Sequence, residues 1–300
     1  MRPYIILTNS HNGEALGIIK VCKKLLPDSV NVGYFDSSFH MDIEPRAYTY
    51  MINQEKARKL GLRRYGFHGL SYAYITSAVS KYLNKPQDEV SIIALHLGSG
   101  ASACAIKQGK SIRTSMGLTP LEGLPGATRS GTVDPSLIFH YTSNASKLSI
   151  SMTNSMHITE AERILNNESG WKALTGTTDF GTISKRASQG DKDCQLANEV
   201  FIDSILDYVG SYMVRLSGKA DALVFAGGIG EKGSELRKQI VSKCGFLGFE
   251  LDEKANMDLG SRNDVVADIG KPGIKPRLLV VKTDEQLEMV RQCVKNKDLW

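Results

Sequence analysis

Residues 91–107, SIIALHLGSGASACAIK, constrain the fold of this chain more than any other stretch. SIIAL is an apolar run with no polar alternation. A strand with one wet face alternates with period two, whereas a strand covered on both faces does not. The run therefore predicts a strand over 91–95 inside a sheet that is layered on both sides. It breaks at HLGSGAS (96–102), resumes over Ala103–Ile106, turns at KQGK and returns over Ser111–Thr114. That pattern is a hairpin signal.

The flanking segments mix helices and strands. Tyr4–Leu7 reads as a short buried strand. HNGEALGIIKVCKKLLP reads as a helix, with Ala15, Leu16, Ile18, Ile19 and Cys22 near the 3.6-residue period and Pro27 closing it. Val30–Phe35 reads as a second strand ending at Asp36, which would open the chain with a βαβ unit. Residues 192–217 predict a long amphipathic helix with Leu196, Val200, Ile205, Val209 and Met213 along its apolar stripe. ADALVFAGGIGEKGSELRKQIV predicts strand, Gly-rich loop and helix. PRLLVVK predicts a strand, followed by the helix TDEQLEMVRQCV with Thr283 as N-cap and Gln286 three residues on. The fold class is α/β.

Three hundred residues suit two domains or one large one, and 41% apolar content supports a packed core. The formal net charge of +5 is spread without a block of like charges and without basic residues interleaved with aromatics. This speaks against a nucleic-acid partner, while a weak positive excess suits a small anionic ligand. Five scattered cysteines with no CxxC speak against a disulfide framework or a zinc site. No apolar run reaches membrane-spanning length. The expectation is a cytoplasmic protein with no membrane partner.

Two Gly-rich turns follow buried strands, HLGSGAS (96–102) and AGGIGEKGS (226–234). Glycine lets main-chain N–H groups approach a phosphate closely. Neither turn carries the GK[ST] of a Walker loop, and neither is read as a dinucleotide fingerprint. Each is a plain turn or part of a nucleotide site. Arg129 lies among small residues in TPLEGLPGATRSGTVDPS, where a guanidinium either forks onto a phosphate or is solvated. His11, His40, His68 and His96 fall near strand ends or turns, as structural or site residues. Asp36 and Glu285 are candidate metal or base groups.

Taken together, RRYGFHGLS (63–71), HLGSGASACAIKQGKSIRTSMGLTPLEGL (96–124), TRSGTVDP (128–135), ALVFAGGIGEKGSELR (222–237) and FLGFELDEKAN (246–256) resemble the acetate kinase family, in that family's order. The resemblance runs from about Thr8 to the C-terminus. It implies the actin-like ATPase fold (ribonuclease H-like, with duplicated domains) and an N-terminal domain that is truncated here. The division expected is 1–38 as a remnant of that N-terminal domain, 39–282 as the C-terminal domain with the nucleotide loops, and 283–300 as a helix returning to the first domain.

The implied activity is reversible transfer of the ATP γ-phosphate to acetate or another short carboxylate, with Mg2+. The alternative is a weakly active or inactive nucleotide-binding paralogue or fragment. A homodimer is implied. The resemblance assigns catalytic roles to Asp36, His68 and Arg129, with the latter two stabilising the transition state. It sets His11 and Phe67 beside the carboxylate substrate. ATP would be held by His96, Leu97, Gly98, Ser99 and Gly100, by Asp179, Phe180 and Gly181, and by Gly228, Ile229, Gly230, Glu231 and Lys232. Glu285 would associate with magnesium. A carboxylate substrate is already a nucleophile, so Asp36 is expected to orient groups rather than take a proton. This sequence departs from the family pattern at Gly13 (for Pro), Tyr72 (for His), Ser99 (for Asn) and Gly181 (for Arg). The family's Ser/Gly-rich phosphate loop and carboxylate-holding arginine have no match before Thr8.

Overall fold

The computed structural model describes residues 13–141, 159–261 and 264–296. The strand expected at Tyr4–Leu7 and the residue His11 lie outside them.

One six-stranded mixed sheet organises the described residues. Its strands are β1 (Ile92–Leu97), β2 (Ala101–Lys107), β3 (Lys110–Thr114), β4 (Ala222–Ala226), β5 (Val266–Asp268) and β6 (Arg277–Val281), in the order β3-β2-β1-β4-β6-β5. β1, β4 and β6 run parallel, whereas β2, β3 and β5 pair antiparallel. The unalternating run behaves as expected: Ile92, Ile93, Ala94 and Leu95 are all fully buried. Alternate residues go to opposite layers. Ile93, Leu95 and Leu97 join Leu223, Phe225, Leu278 and Val280 on one face, while Ile92 and Ala94 join Ala222, Val224, Leu279 and Val281 on the other.

The helices follow from where each can bury a stripe. Helix α1 (Gly13–Leu25) precedes the sheet, and α2 (Gly69–Leu83) lays Tyr72, Ile75 and Val79 on the second face. After β3 come α3 (Glu160–Asn167), α4 (Gly170–Thr175), α5 (Phe180–Ser188) and the long α6 (Lys192–Arg215). Then α7 (Gly227–Lys232), α8 (Ser234–Cys244) and α9 (Glu253–Met257) follow β4, and α10 (Glu285–Lys295) follows β6. Helix α6 packs on α4, α5, α8 and the first sheet face, and α10 packs on α2.

Several expectations are corrected. Val30–Phe35 forms no strand, so the described residues do not open with a βαβ unit. Val30, Val32 and Phe35 are exposed there, and among the described residues no neighbouring strand takes their main-chain groups. The expected apolar face of α1 is also exposed, at Leu16, Ile18 and Ile19. On α6, Ile205, Val209 and Met213 are buried, but Leu196 and Val200 are not. The stripe instead starts at Cys194, Ala197, Phe201 and Ile202, because α6 meets α5 and α8 at its N-terminal half. GGIGEK is helical rather than a loop. The cap of α10 is Asp284, whose carboxylate accepts the Leu287 N–H at 2.8 Å, and not Thr283. Among the described residues no helix is long and apolar enough to cross a membrane.

Candidate active site

The two Gly-rich turns sit side by side because β1 and β4 are parallel neighbours, with His96 opposite Ala226. Both turns leave the carboxyl ends of their strands, the edge where open α/β sheets bind ligands. Gly227 has φ +75°, and a Cβ there would lie 2.7 Å from the Leu97 carbonyl oxygen. Only glycine lets the start of α7 approach the β1 turn so closely. Gly228 faces open space. The spacing of Gly228, Gly230 and Gly233 does match G-x-G-x-x-G, but Gly228 and Gly230 lie within a helix that ends before Gly233, rather than in the fingerprint's strand-to-helix loop.

The Arg129 loop is built onto the first turn. Ala127 N–H donates to the Ser99 carbonyl at 2.8 Å, while Ser130 N–H donates to Leu165 and Ser169 N–H to Thr128 at 3.0 Å each. Helices α3 and α4 thus clamp the loop. Arg129 is half-buried, and burial lowers its pKa. Among the described residues its guanidinium has no hydrogen bond or ion pair. It converges with His68 on Gly100: a Cβ at that glycine would lie 2.8 Å from Arg129 Nη1 and 3.8 Å from His68 Nε2. A desolvated cation without a counter-ion is costly, and an incoming phosphate removes that cost.

His68 is held from three sides. It adopts a left-handed conformation (φ 58°) just before α2. Asp36 Oδ2 accepts the His68 N–H at 2.7 Å, and the Asp36 carbonyl accepts the Gly69 N–H at 2.7 Å. A Cβ at Gly69 would lie 2.2 Å from that carbonyl. Burial raises the Asp36 pKa, and main-chain bonds from His68, Leu70 and Gly69 oppose the rise. Its observed contact is therefore with the α2 N-terminus. The His68 Nδ1 lies 2.8 Å from Ser102 Oγ, and its ring centroid lies 4.5 Å from that of His96. Burial, then the fields of His96, Arg129 and His40, hold His68 well below its ordinary pKa. It is neutral at pH 7. Burial also lowers the His96 pKa, with Glu285 acting the other way, and His96 Nδ1 is buried without a hydrogen-bond partner among the described residues.

The carbonyl of Phe67 lies 3.0 Å from His40 Nε2, and His40 Nδ1 lies 2.8 Å from Ser111 Oγ. This fully buried imidazole pins the turn that carries Phe67 and His68. Burial pushes the His40 pKa down to about 4. The unfolded chain takes up this proton near pH 6.5, while the folded chain resists it down to about 4. Stability from His40 is therefore complete above pH 6.5 and is lost as pH falls toward 4. Between pH 7 and 5 the loss should be about 2 kcal/mol. Urea unfolding at both pH values, in the parent and in His40→Gln, measures it. An equal pH increment in the two proteins would remove His40 as its source.

The other assigned residues are dispersed around this centre. Asp179 caps α5, accepting the N–H groups of Gly181 and Thr182 at 3.1 Å each and the Thr182 hydroxyl at 2.6 Å. These bonds, the hydroxyl first, lower its pKa. Phe180 is buried among Trp171 and Phe201. Glu231 and Lys232 border a cavity of about 350 Å³ that reaches Ser234, Met257 and Lys282. Glu285 opens α10, and its Oε1 accepts the Ser71 hydroxyl at 2.6 Å. The described residues hold no cluster of three or more His, Cys, Asp or Glu able to hold a metal ion. A single carboxylate still fits Mg2+ that is held mainly by phosphate oxygens and water.

Sequence reasoning did not assign His40, Ser102 or Tyr72 to the site. Their partners lie 71, 34 and 30 positions away, and no short-range pattern carries such contacts.

A mixed α/β sheet with glycine-rich turns at the ends of adjacent parallel strands fits the actin-like ATPase fold. The solved structures agree: acetate kinase from Porphyromonas gingivalis superposes with a TM-score of 0.85 at 32% identity, covering 97% of this chain and 70% of that one. A propionate kinase from Francisella tularensis gives 0.84 at 35% identity, covering 96% and 70%. A probable acetate kinase of Emericella nidulans is 51% identical over 292 residues, which are 96% of this chain and 69% of that protein. Residues 1–291 match the model of the acetokinase family, and the chain belongs to that family.

Proposed function

We propose that this chain transfers the γ-phosphoryl group of ATP to acetate, forming acetyl phosphate and ADP, and runs the reverse reaction. The observation that carries this reading is the convergence of Arg129 Nη1 and His68 Nε2 on Gly100, at the end of a buried strand. An acetate oxygen forms the new bond to phosphorus as the bond to the bridging oxygen of ADP breaks. Charge shifts over the equatorial oxygens during this step. A guanidinium fork and a neutral imidazole donor aimed at those oxygens stabilise them without accepting a proton. Asp36 holds His68 in place through its main-chain N–H. The β1 turn and α7 hold the nucleotide phosphates, and Phe67 and His11 border the carboxylate. Glu285 is the residue that would hold Mg2+, which supplies charge neutralisation on the phosphates.

The domain reading belongs to the same proposal. Residues 39–282 carry the nucleotide elements, while 283–300 return toward 1–38. The cavity that Phe35, Ser38 and Phe39 line together with Gln292 of α10 supports this return. The homodimer and the cytoplasmic setting rest on the family resemblance. The test is hydroxamate trapping of acetyl phosphate from ATP, Mg2+ and acetate. Trapped product above the enzyme-free control is expected. Calorimetric binding of Mg-ATP without product would leave a nucleotide-binding protein and overturn the transferase reading.

A further inference from the structure

Two buried hydroxyls stand in line behind His68. Tyr72, on the first turn of α2, is fully buried, and so is Ser102 on β2. Tyr72 Oη lies 2.5 Å from Ser102 Oγ, which lies 2.8 Å from His68 Nδ1. Each hydroxyl has one proton to give, so the direction of this chain can be counted.

The Tyr72 proton has Ser102 Oγ as its acceptor among the described residues. Having accepted that proton, Ser102 donates its own to the remaining partner, His68 Nδ1. Nδ1 is thereby an acceptor, and a neutral imidazole with an acceptor at Nδ1 carries its proton on Nε2. The reverse direction would strand the Tyr72 proton in a fully buried position with no acceptor. Native interiors avoid that arrangement. It would also aim a lone pair, rather than a donor, at the space shared with Arg129.

We infer that Tyr72 and Ser102 are positioning residues that fix His68 as its Nε2–H tautomer, so that a hydrogen-bond donor faces the transferring phosphoryl group. This rests on the reading of Arg129 and His68 as its neighbours. The relay itself is a property of the resting protein and is read without catalysis.

The direct measurement is nitrogen-15 NMR of histidine-labelled protein, with His68 assigned by its loss in His68→Gln. The parent is expected to carry the His68 proton on Nε2 from pH 6 to 8. Tyr72→Phe keeps the ring and removes the proton that orients Ser102. His68 should then populate both tautomers, while the other histidine signals stay in place and report an intact fold. Ser102→Ala should do the same. In steady-state assays both variants should lose about tenfold in kcat, with KM for ATP within twofold of the parent. A parent proton on Nδ1, or an unchanged tautomer in both variants, would overturn the relay. So would a mixed tautomer with unchanged kcat. A parent that makes no acetyl phosphate while its His68 carries Nε2–H would count against the proposed reaction and leave the relay standing.

Discussion

Arg129→Ala should lower kcat by about 10²–10³-fold while KM for ATP moves by less than about threefold. The guanidinium is half-buried and has no carboxylate partner among the described residues. Its desolvation is thus offset only when an anion arrives. In the proposed reaction, resting ATP would have its charge met by Mg2+ and main-chain N–H groups, so the ground state would gain less from Arg129. In the same reaction the phosphoryl group in flight would carry its equatorial oxygens beside Gly100, close to Arg129 Nη1. An interaction stronger in the transition state than in the ground state appears in kcat. Arg129→Lys should recover only part of the loss, because a point charge cannot form the planar fork. Steady-state kinetics on the three proteins separates this from a solvated loop residue, for which all three would behave alike.

The largest effect on stability is expected at Arg237. This side chain is fully buried. Its Nε donates to Asn256 Oδ1 at 2.7 Å, Nη1 to the carbonyls of Gly230 at 2.7 Å and Glu231 at 2.9 Å, and Nη2 to the Asn256 carbonyl at 2.9 Å. Burial pushes its pKa down to about 10, so it remains charged at neutral pH. The cation is solvated by carbonyl oxygens rather than by an acid. Arg237→Ala leaves those oxygens buried without donors and opens a void. The combined cost should be about 3–5 kcal/mol. Because two of the carbonyls end α7, ATP affinity should fall as well. Arg237→Met restores volume but not the donors, and should recover less than half of the loss. Urea unfolding gives the numbers, and a loss below about 1 kcal/mol in the alanine variant would refute this account.

The sheet centre was legible because burial on both faces writes itself into neighbouring residues, as in Ile92–Leu95. Val30–Phe35 is also rich in β-branched and aromatic residues and forms no strand, since a strand also needs a neighbour that its own residues do not specify. GGIGEK misled in the other direction: glycine lowers helix propensity, yet Arg237 ties the end of that turn to Asn256. At the site, Arg129 and His68 stood out by type and surroundings. Tyr72 was visible as a departure from the family pattern, without its partner. Ser102 and His40 act through contacts that only the folded sheet creates, His40 through Ser111 on β3 and Ser102 opposite His96 on β1.

The parallel pairing of β1 with β4 separates chain length from site geometry. Position 97 and position 227 are remote along the chain, yet their backbones touch, because adjacent strands sit about 4.8 Å apart whatever connects them. The sheet therefore works as a ruler whose divisions the connecting segments cannot stretch. Loop lengths between β3 and β4 can change without moving this register, provided the clamp on the Arg129 loop and the packing of α6 on the sheet are spared. A single methyl group cannot be added at Gly227 so freely, since it would push the two halves of the phosphate cradle apart.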